Sequence, residues 1–292
     1  MALKGIKPEI VKPRKPHIML SGEAGTGKTY FALNWPAPYF IDTETGATRE
    51  QYVKKLKEAE GVYFGPEQGS QDFQEVLSQI RELGTTKHPY KTLVIDSFSK
   101  LYNIEAAAAE ERIGSDFGKD KREADKPSRK LLTWLERLPM NVILVCHMKD
   151  KWERRERELI YAGLTYDGYK KLHYDLDLWL QTKIVGNKRY ATIAKSRIDA
   201  FPMLTDINLD FDTFKKLYGA TVIDEATAPI VVATPEQVAE IKRIVDLLHI
   251  SEKDLDGWLS KAQAVEIEDL SKDNAGKFLD WLNKKLSGKD SK

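Results

Sequence analysis

The sequence predicts an α/β fold: a mostly parallel sheet flanked by helices, followed by a small C-terminal helical domain. Three observations predict it. Short apolar runs alternate with helix-patterned segments through roughly the first 220 residues. Several of those runs end in an acidic or polar residue, which is where parallel sheets place their ligands. Beyond residue 234 only helical spacing remains.

Taken in order, "HIMLSG" (17–22) reads as a short buried strand, and "KTYFALNW" as a helix stopped by Pro36 and Pro38. "YFIDTETG" is a second strand ending in acids. "DFQEVLSQIREL" has helical spacing, with Phe73, Val76, Leu77 and Ile80 on one face. "KTLVIDSFSKL" is a third strand, again with an acid at its end. The segment from roughly 105 to 128 is charged, with little apolar periodicity beyond an alanine run. "RKLLTWLERL" is a helix and "NVILVCH" a fourth strand. "DLWLQTKIV" and "KRYATIAKSR" are later strands, paired as a hairpin turning at "GN".

The chain divides into a basic, proline-broken arm (1–16), a core (17–222), a linker (223–234) and a helical unit (235–288). Thr234 and Pro235 read as the N-cap and first residue of that unit, and Ile244, Trp258 and Leu282 as its core. The 46 lysines and arginines nearly balance 45 aspartates and glutamates, so bulk charge makes no case for nucleic acid and any basic surface must be local. A single cysteine, Cys146, excludes an internal disulfide framework and a multi-cysteine zinc site, and fits a reducing cytoplasm. No apolar run reaches transmembrane length, so no membrane partner is expected.

The chemistry is announced at residues 22–30. Gly22-Glu23-Ala24-Gly25-Thr26-Gly27-Lys28-Thr29-Tyr30 contains the P-loop pattern, with a strand before it and a helix after it. Glycines let successive backbone amides turn toward phosphate oxygens. Lys28 reaches the β- and γ-phosphates of ATP, and the Thr29 hydroxyl ligates Mg²⁺. A further oxygen ligand for Mg²⁺ is expected from an acid ending a neighbouring apolar strand, and "TLVID" supplies Asp96. Hydrolysis needs a group to orient or deprotonate water. "FIDTETG" offers Asp42 and Glu44; Glu44 is the candidate base and Asp42 a supporting acid. His147, ending "NVILVCH", is placed to sense the γ-phosphate. Cys146, one residue back on an apolar strand, reads as packing.

These stretches in this order resemble the RecA-like P-loop ATPases. Within them "GEAGTGKT", "YFIDTETG" and "TLVIDSFSKL" are similar to a bacteriophage group, the Sak-type single-strand annealing or recombination ATPases. The resemblance covers about residues 17–215. It implies ATP and Mg²⁺ as ligands, Glu44 as catalytic glutamate, Asp96 as magnesium aspartate and His147 at a sensor position often held by Gln or Asn in RecA. It also lends meaning to "IAKSR". RecA-like assemblies insert a cation from one subunit into the next, which falls here on Lys195 or Arg197, two apart on a strand and on one face. Activity would then require a homo-oligomer, ring or filament.

The same resemblance places loops for single-stranded DNA within about 105–128 and 148–171. The first carries Lys121 and Arg122. The second interleaves Lys149, Lys151, Arg154, Arg155 and Arg157 with Trp152, Tyr161, Tyr166 and Tyr169, the mixture of cations and ring faces that single strands require. A charged surface hairpin or helix is the competing reading of that stretch. A single-strand binding protein is a further possible partner for the C-terminal unit. The alternatives to a DNA-dependent recombination ATPase are a ring helicase or its loader, a small-molecule or nucleotide kinase using 119–130 as a lid, and a regulatory ATPase without DNA.

Overall fold

The computed structural model describes residues 14–46, 48–114, 118–155, 158–226 and 228–287, with Arg155 described by its backbone alone. In chain order the core runs β1 (His17–Gly22), α1 (Lys28–Leu33), β2 (Pro38–Asp42), α2 (Glu50–Glu58), β3 (Val62–Phe64), α3 (Phe73–Thr85), β4 (Thr92–Asp96), α4 (Phe98–Ile113), α5 (Lys119–Arg137) and β5 (Asn141–Cys146). It continues through β6 (Met148–Arg155), β7 (Glu158–Tyr166), α6 (Leu172–Asp175), β8 (Leu178–Val185), β9 (Lys188–Ser196), β10 (Asp206–Asn208), α7 (Phe211–Tyr218) and α8 (Ala220–Asp224). Helices α9 (Pro235–Leu247), α10 (Glu252–Lys261) and α11 (Lys272–Leu286) complete the chain.

Eight strands form one sheet in the order β10-β9-β8-β1-β5-β4-β2-β3, and the run from β8 to β3 is parallel throughout. Alternation sorts the strand residues between two cores. Met19, Ile41, Leu93, Ile95, Val142 and Leu144 face the layer built by α3, α4 and α5. Ile18, Leu20, Phe40, Val94, Ile143 and Val145 face the layer of α1, α2 and α7. Helices thus cover both faces, which is why the central strands read as unbroken apolar runs. Cys146 is fully buried in the first of these cores, as expected of packing.

Helix α3 forms as its spacing predicts. Asp72 caps it by accepting from the N–H groups of Gln74 and Glu75, and Phe73, Val76 and Ile80 are buried. The β8–β9 hairpin turns through Gly186 at φ 61°, the positive angle a tight "GN" turn needs. Thr234 and Gln237 form a capping box at the start of α9, whose Ile244 packs with Phe278 and Leu282 of α11 in a third, separate core that Trp258 borders.

The charged stretch 105–128 differs from the expected DNA loop. Its described residues lie in α4 and α5, an antiparallel pair. Periodicity hid this because the alanine run of α4 marks no face, with only Ala109 buried and Ala107 exposed, and because Pro127, a residue that ordinarily argues against a helix, sits buried inside α5. Lys121 and Arg122 are exposed on the first turns of α5, not on a loop. The start of the segment 223–234 is also tied down: Ile223 is buried, and Asn141 Nδ2 donates to its carbonyl (3.1 Å). Of the basic arm, only 14–16 fall within the described residues. There Lys15 Nζ donates to the carbonyls of Val222, Ile223 and Glu225, so this lysine caps the end of α8. No helix among the described residues is long and apolar enough to cross a membrane.

Candidate functional site

Register brings the unusual polar residues together. Parallel pairing sets Asp42 beside Asp96, Asp96 beside Val145, and Cys146 beside Ser21, so the carboxyl ends of β1, β2, β4 and β5 share one edge of the sheet. The loop 22–29 leaves from the centre of that edge. Gly22 (φ 154°) has no room for a side chain: a Cβ there would stand 2.1 Å from Thr182 Oγ1 and 2.6 Å from the Thr182 carbonyl oxygen. Gly27 (φ 99°) precedes α1, and a Cβ there would meet Arg189 Cδ at 2.6 Å. Thr26 Oγ1 and Thr182 Oγ1 share a 2.7 Å hydrogen bond that seats the loop on β8. Lys28 Nζ donates to the carbonyls of Gly22 and Glu23, both at 2.8 Å, so the ammonium lies across the loop's mouth. Burial lowers its pKa, against the opposing pull of Asp96 and Glu44. Glu23, Ala24, Gly25 and Tyr30 are exposed around this mouth.

Thr29 Oγ1 donates to Asp96 Oδ2 at 2.6 Å. Burial raises the Asp96 carboxyl to about 6, with Glu44 and Asp42 adding to the rise and Thr29 opposing it. A buried, nearly dry carboxylate beside a hydroxyl is a hard-oxygen donor pair that gains by meeting a cation.

Glu44 is fixed by two donors on one oxygen. His147 Nε2 approaches Oε1 at 2.6 Å, and Ser97 Oγ donates to the same atom at 2.6 Å. The His147 hydrogen bond, helped by Ser97, holds the Glu44 carboxyl down at about 2, and the same contact raises the imidazole's pKa. Glu44 N–H donates to Asp42 Oδ1 (2.8 Å), which turns the chain at the end of β2 and aims Glu44 toward β5. The β2 and β4 ends are further locked where Thr43 Oγ1 donates to the Ser97 carbonyl (3.1 Å).

Lys28, Thr29, Asp96, Glu44 and His147 are thus gathered at one place. Lys195 and Arg197 are not. Lys195 lies near the end of β9 and Arg197 directly follows that strand, which runs against β8, so both lie toward the opposite end of the sheet; Lys195 Nζ donates to the Leu176 carbonyl and Arg197 to the Tyr174 carbonyl. The 148–171 stretch is a hairpin, β6 with β7, and here the rings divide. Trp152 (56% exposed) and Tyr161 (52%) meet edge to face in the open, whereas Tyr166 and Tyr169 are buried in the core, so two of the four rings offer no face to a ligand. Arg154 is exposed. Lys149 is paired with Asp167 and Lys151 with Glu153, both at 2.6 Å. The side chain of Arg155 and all of Arg157 lie outside the described residues.

Some contributors escaped sequence reasoning. Ser97 was readable only as the residue after "LVID". Arg189 stands at the hairpin turn, which antiparallel pairing carries up to the phosphate loop. With Tyr30, Gln51, Tyr52 and the loop it encloses a cleft of about 330 Å³. Lys55 Nζ covers the Tyr30 ring at 3.9 Å from its centroid. No group of three or more His, Cys, Asp or Glu side chains placed to hold a metal ion occurs among the described residues.

A glycine-built loop leaving a parallel strand, with its lysine and threonine set against a strand-end aspartate, belongs to a P-loop NTPase that binds ATP. More narrowly, residues 14–200 match the family described as an AAA domain, and the chain belongs to that family. No curated protein matches the chain. Among solved structures it is similar to a RadB recombinase, at 17% identity and a TM-score of 0.42, over 66% of this chain and 86% of that one.

Proposed function

We propose that the chain is a RecA-like, Mg²⁺-requiring ATPase that acts on single-stranded DNA in phage recombination or annealing, inside the bacterial cytoplasm. Its active site would be shared between copies, with residues 17–222 as the catalytic core and 235–288 as an appended unit. The observation that carries the reading is the meeting of Glu44 and His147 directly beside the Thr29–Asp96 pair.

In this reading the loop amides from Gly22 to Thr29 hold the phosphates and Lys28 exchanges its two loop carbonyls for phosphate oxygens. Thr29 and Asp96 hold Mg²⁺, which when bound supplies charge neutralisation of the phosphates. Glu44 orients water and takes its proton; His147 passes between Glu44 and the γ-phosphate. The paired state of Glu44 makes it a poor base, so release by His147 precedes catalysis. The exposed Trp152–Tyr161 rings with Arg154 supply stacking faces and charge for a single strand. The kinase alternative would need 119–130 as a mobile lid, and that stretch belongs to helix α5, which buries Ala124, Pro127 and Ser128; phosphate transfer to a nucleoside monophosphate would favour the kinase.

ATP turnover measured with and without a deoxythymidylate oligonucleotide, alongside a gel shift, tests the proposal. Stimulation with binding supports it; a flat rate with no shift sinks the DNA part, and unwinding of a tailed duplex would move the chain among the helicases.

A further inference from the structure

The root of the β6–β7 hairpin is organised around Asp167, which the hydrolytic chemistry does not use. Asp167 directly follows β7. Its N–H donates to the His147 carbonyl (2.8 Å), and its carbonyl accepts from Ser99 Oγ (2.6 Å). The same Ser99 oxygen accepts the His147 N–H (2.8 Å). His147 is therefore gripped at both of its backbone groups by Asp167 and Ser99, while its ring reaches out to Glu44.

The Asp167 carboxylate is divided between two donors. Asn103 Nδ2 on α4 donates to Oδ2 and Lys149 Nζ on β6 to Oδ1, both at 2.6 Å. The first contact ties the root to the body and the second ties it to the hairpin. Toward the tip the strand is exposed from Glu158 to Ala162, so packing does not fix the hairpin's angle there. Three contacts connect the hairpin's first lysine with the base: Lys149 to Asp167, Asp167 to the His147 backbone, and the His147 ring to Glu44. Lys149 is about half exposed and sits three residues before Trp152, within reach of the same polyanion that the rings would stack.

We propose that Asp167 is a positioning residue: it fixes the hairpin root so that His147 keeps Glu44 clasped, and a polyanion that takes Lys149 from it releases the glutamate. The inference rests on the reading of Glu44 as base and of the hairpin as the DNA surface. It makes the ion pair a brake on hydrolysis without DNA, set by charge competition at one lysine.

The full chain carrying Asp167→Asn keeps an acceptor for Asn103 but gives up the charge that holds Lys149. Its DNA-free kcat should rise about fivefold, of the order expected for one partly exposed ion pair, with KM for ATP little changed. The ratio of rates with and without deoxythymidylate oligonucleotide should shrink accordingly. Lys149→Gln, on the exposed side of the pair, should raise the DNA-free kcat in the same way and decides the matter alone if Asp167→Asn does not fold. A DNA-free kcat at or below the wild-type value in a folded variant overturns the inference, since a merely structural role lowers both rates together. A wild-type rate indifferent to oligonucleotide, with no binding, removes the DNA reading only; the DNA-free rates still judge the role of Asp167.

Discussion

Glu44 and His147 hold one another across the end of β4, Oε1 to Nε2 at 2.6 Å, so the acid that ends one strand and the imidazole that ends another are a single titrating unit. Their pKa values move apart in the direction of an ion pair. The acid's value falls to about 2, so its share of the stability is present above 4.5 and lost as pH falls toward that value. The imidazole's value is raised, so its share is present below 6.5 and lost as pH rises through the raised value. Both shares are complete only between these limits. His147→Ala should therefore cost most stability between about pH 4.5 and 6.5 and progressively less in alkali. Urea midpoints of wild type and variant across pH provide the check; a cost independent of pH would show that the pair is not ionic.

Asp96 has the opposite sign. Burial raises its pKa to about 6, so the folded chain favours the protonated acid, and the stability this gives is lost as pH rises from 3.8 through that value. Charged and without a cation, the site costs on the order of 3 kcal/mol. Asp96→Asn in chelator should therefore be more stable than wild type at pH 7.5 but not at pH 4. Mg²⁺ should raise the wild-type melting temperature at pH 7.5, do little at pH 5, and do nothing specific for the variant. Equal Mg²⁺ effects at both pH values would remove Asp96 from the metal site.

What the sequence made legible is what local pattern enforces. "GEAGTGKT", the acids ending β2 and β4, the "GN" turn and the Thr234 cap each need particular residues at fixed spacing, and each was found where read. The illegible parts lack that constraint. Hairpin β6–β7 has no buried face along most of its length, so nothing imposes a period of two on its charges. The alanine run of helix α4 marks no stripe, since only Ala109 of it is buried, and Pro127 argues locally against the helix α5 that contains it. The meeting of Glu44 with Ser97 depends on how two strand ends are joined, and that of Arg189 with Gly27 on the direction of β9, which no single stretch encodes.

Gly22 and Gly25 separate phosphate-loop geometry from mere flexibility. An alanine at Gly22 would drive its Cβ into Thr182 backbone and side chain, whereas one at Gly25 has nothing within 4 Å and faces only the cost of φ 79°. Gly22→Ala should lose about 2–4 kcal/mol, as overpacking against backbone does, and Gly25→Ala about 1 kcal/mol. Chemical denaturation measures both. Equal losses would mean that the Thr182 seat does not hold the loop.

Lys195, near the end of β9, and Arg197, just past it, lie far from their own phosphate loop. Lys195 pairs with Trp179, three residues before the Thr182 that faces Gly22, which is about 10 Å down the strand. Its amine and the Arg197 guanidinium turn to the carbonyls of Leu176 and Tyr174, at the sheet's other end. Within one copy neither cation can meet a γ-phosphate held by Lys28. If they serve hydrolysis, they serve it in a neighbour. Arg197→Ala should then bind ATP nearly as wild type while kcat falls about a hundredfold or more, the cost of removing a charge from the transition state. Glu44→Gln copies hydrolyse nothing themselves but carry an intact Arg197. Mixed with Arg197→Ala copies, they should restore turnover at the Arg197→Ala sites that still possess Glu44. The readout is ATP turnover across mixing ratios, with co-assembly checked by light scattering. Mixed assemblies as inactive as either parent would mean that Arg197 acts within its own copy, through the structure around the Tyr174 carbonyl that it holds, and not on a neighbour's phosphates.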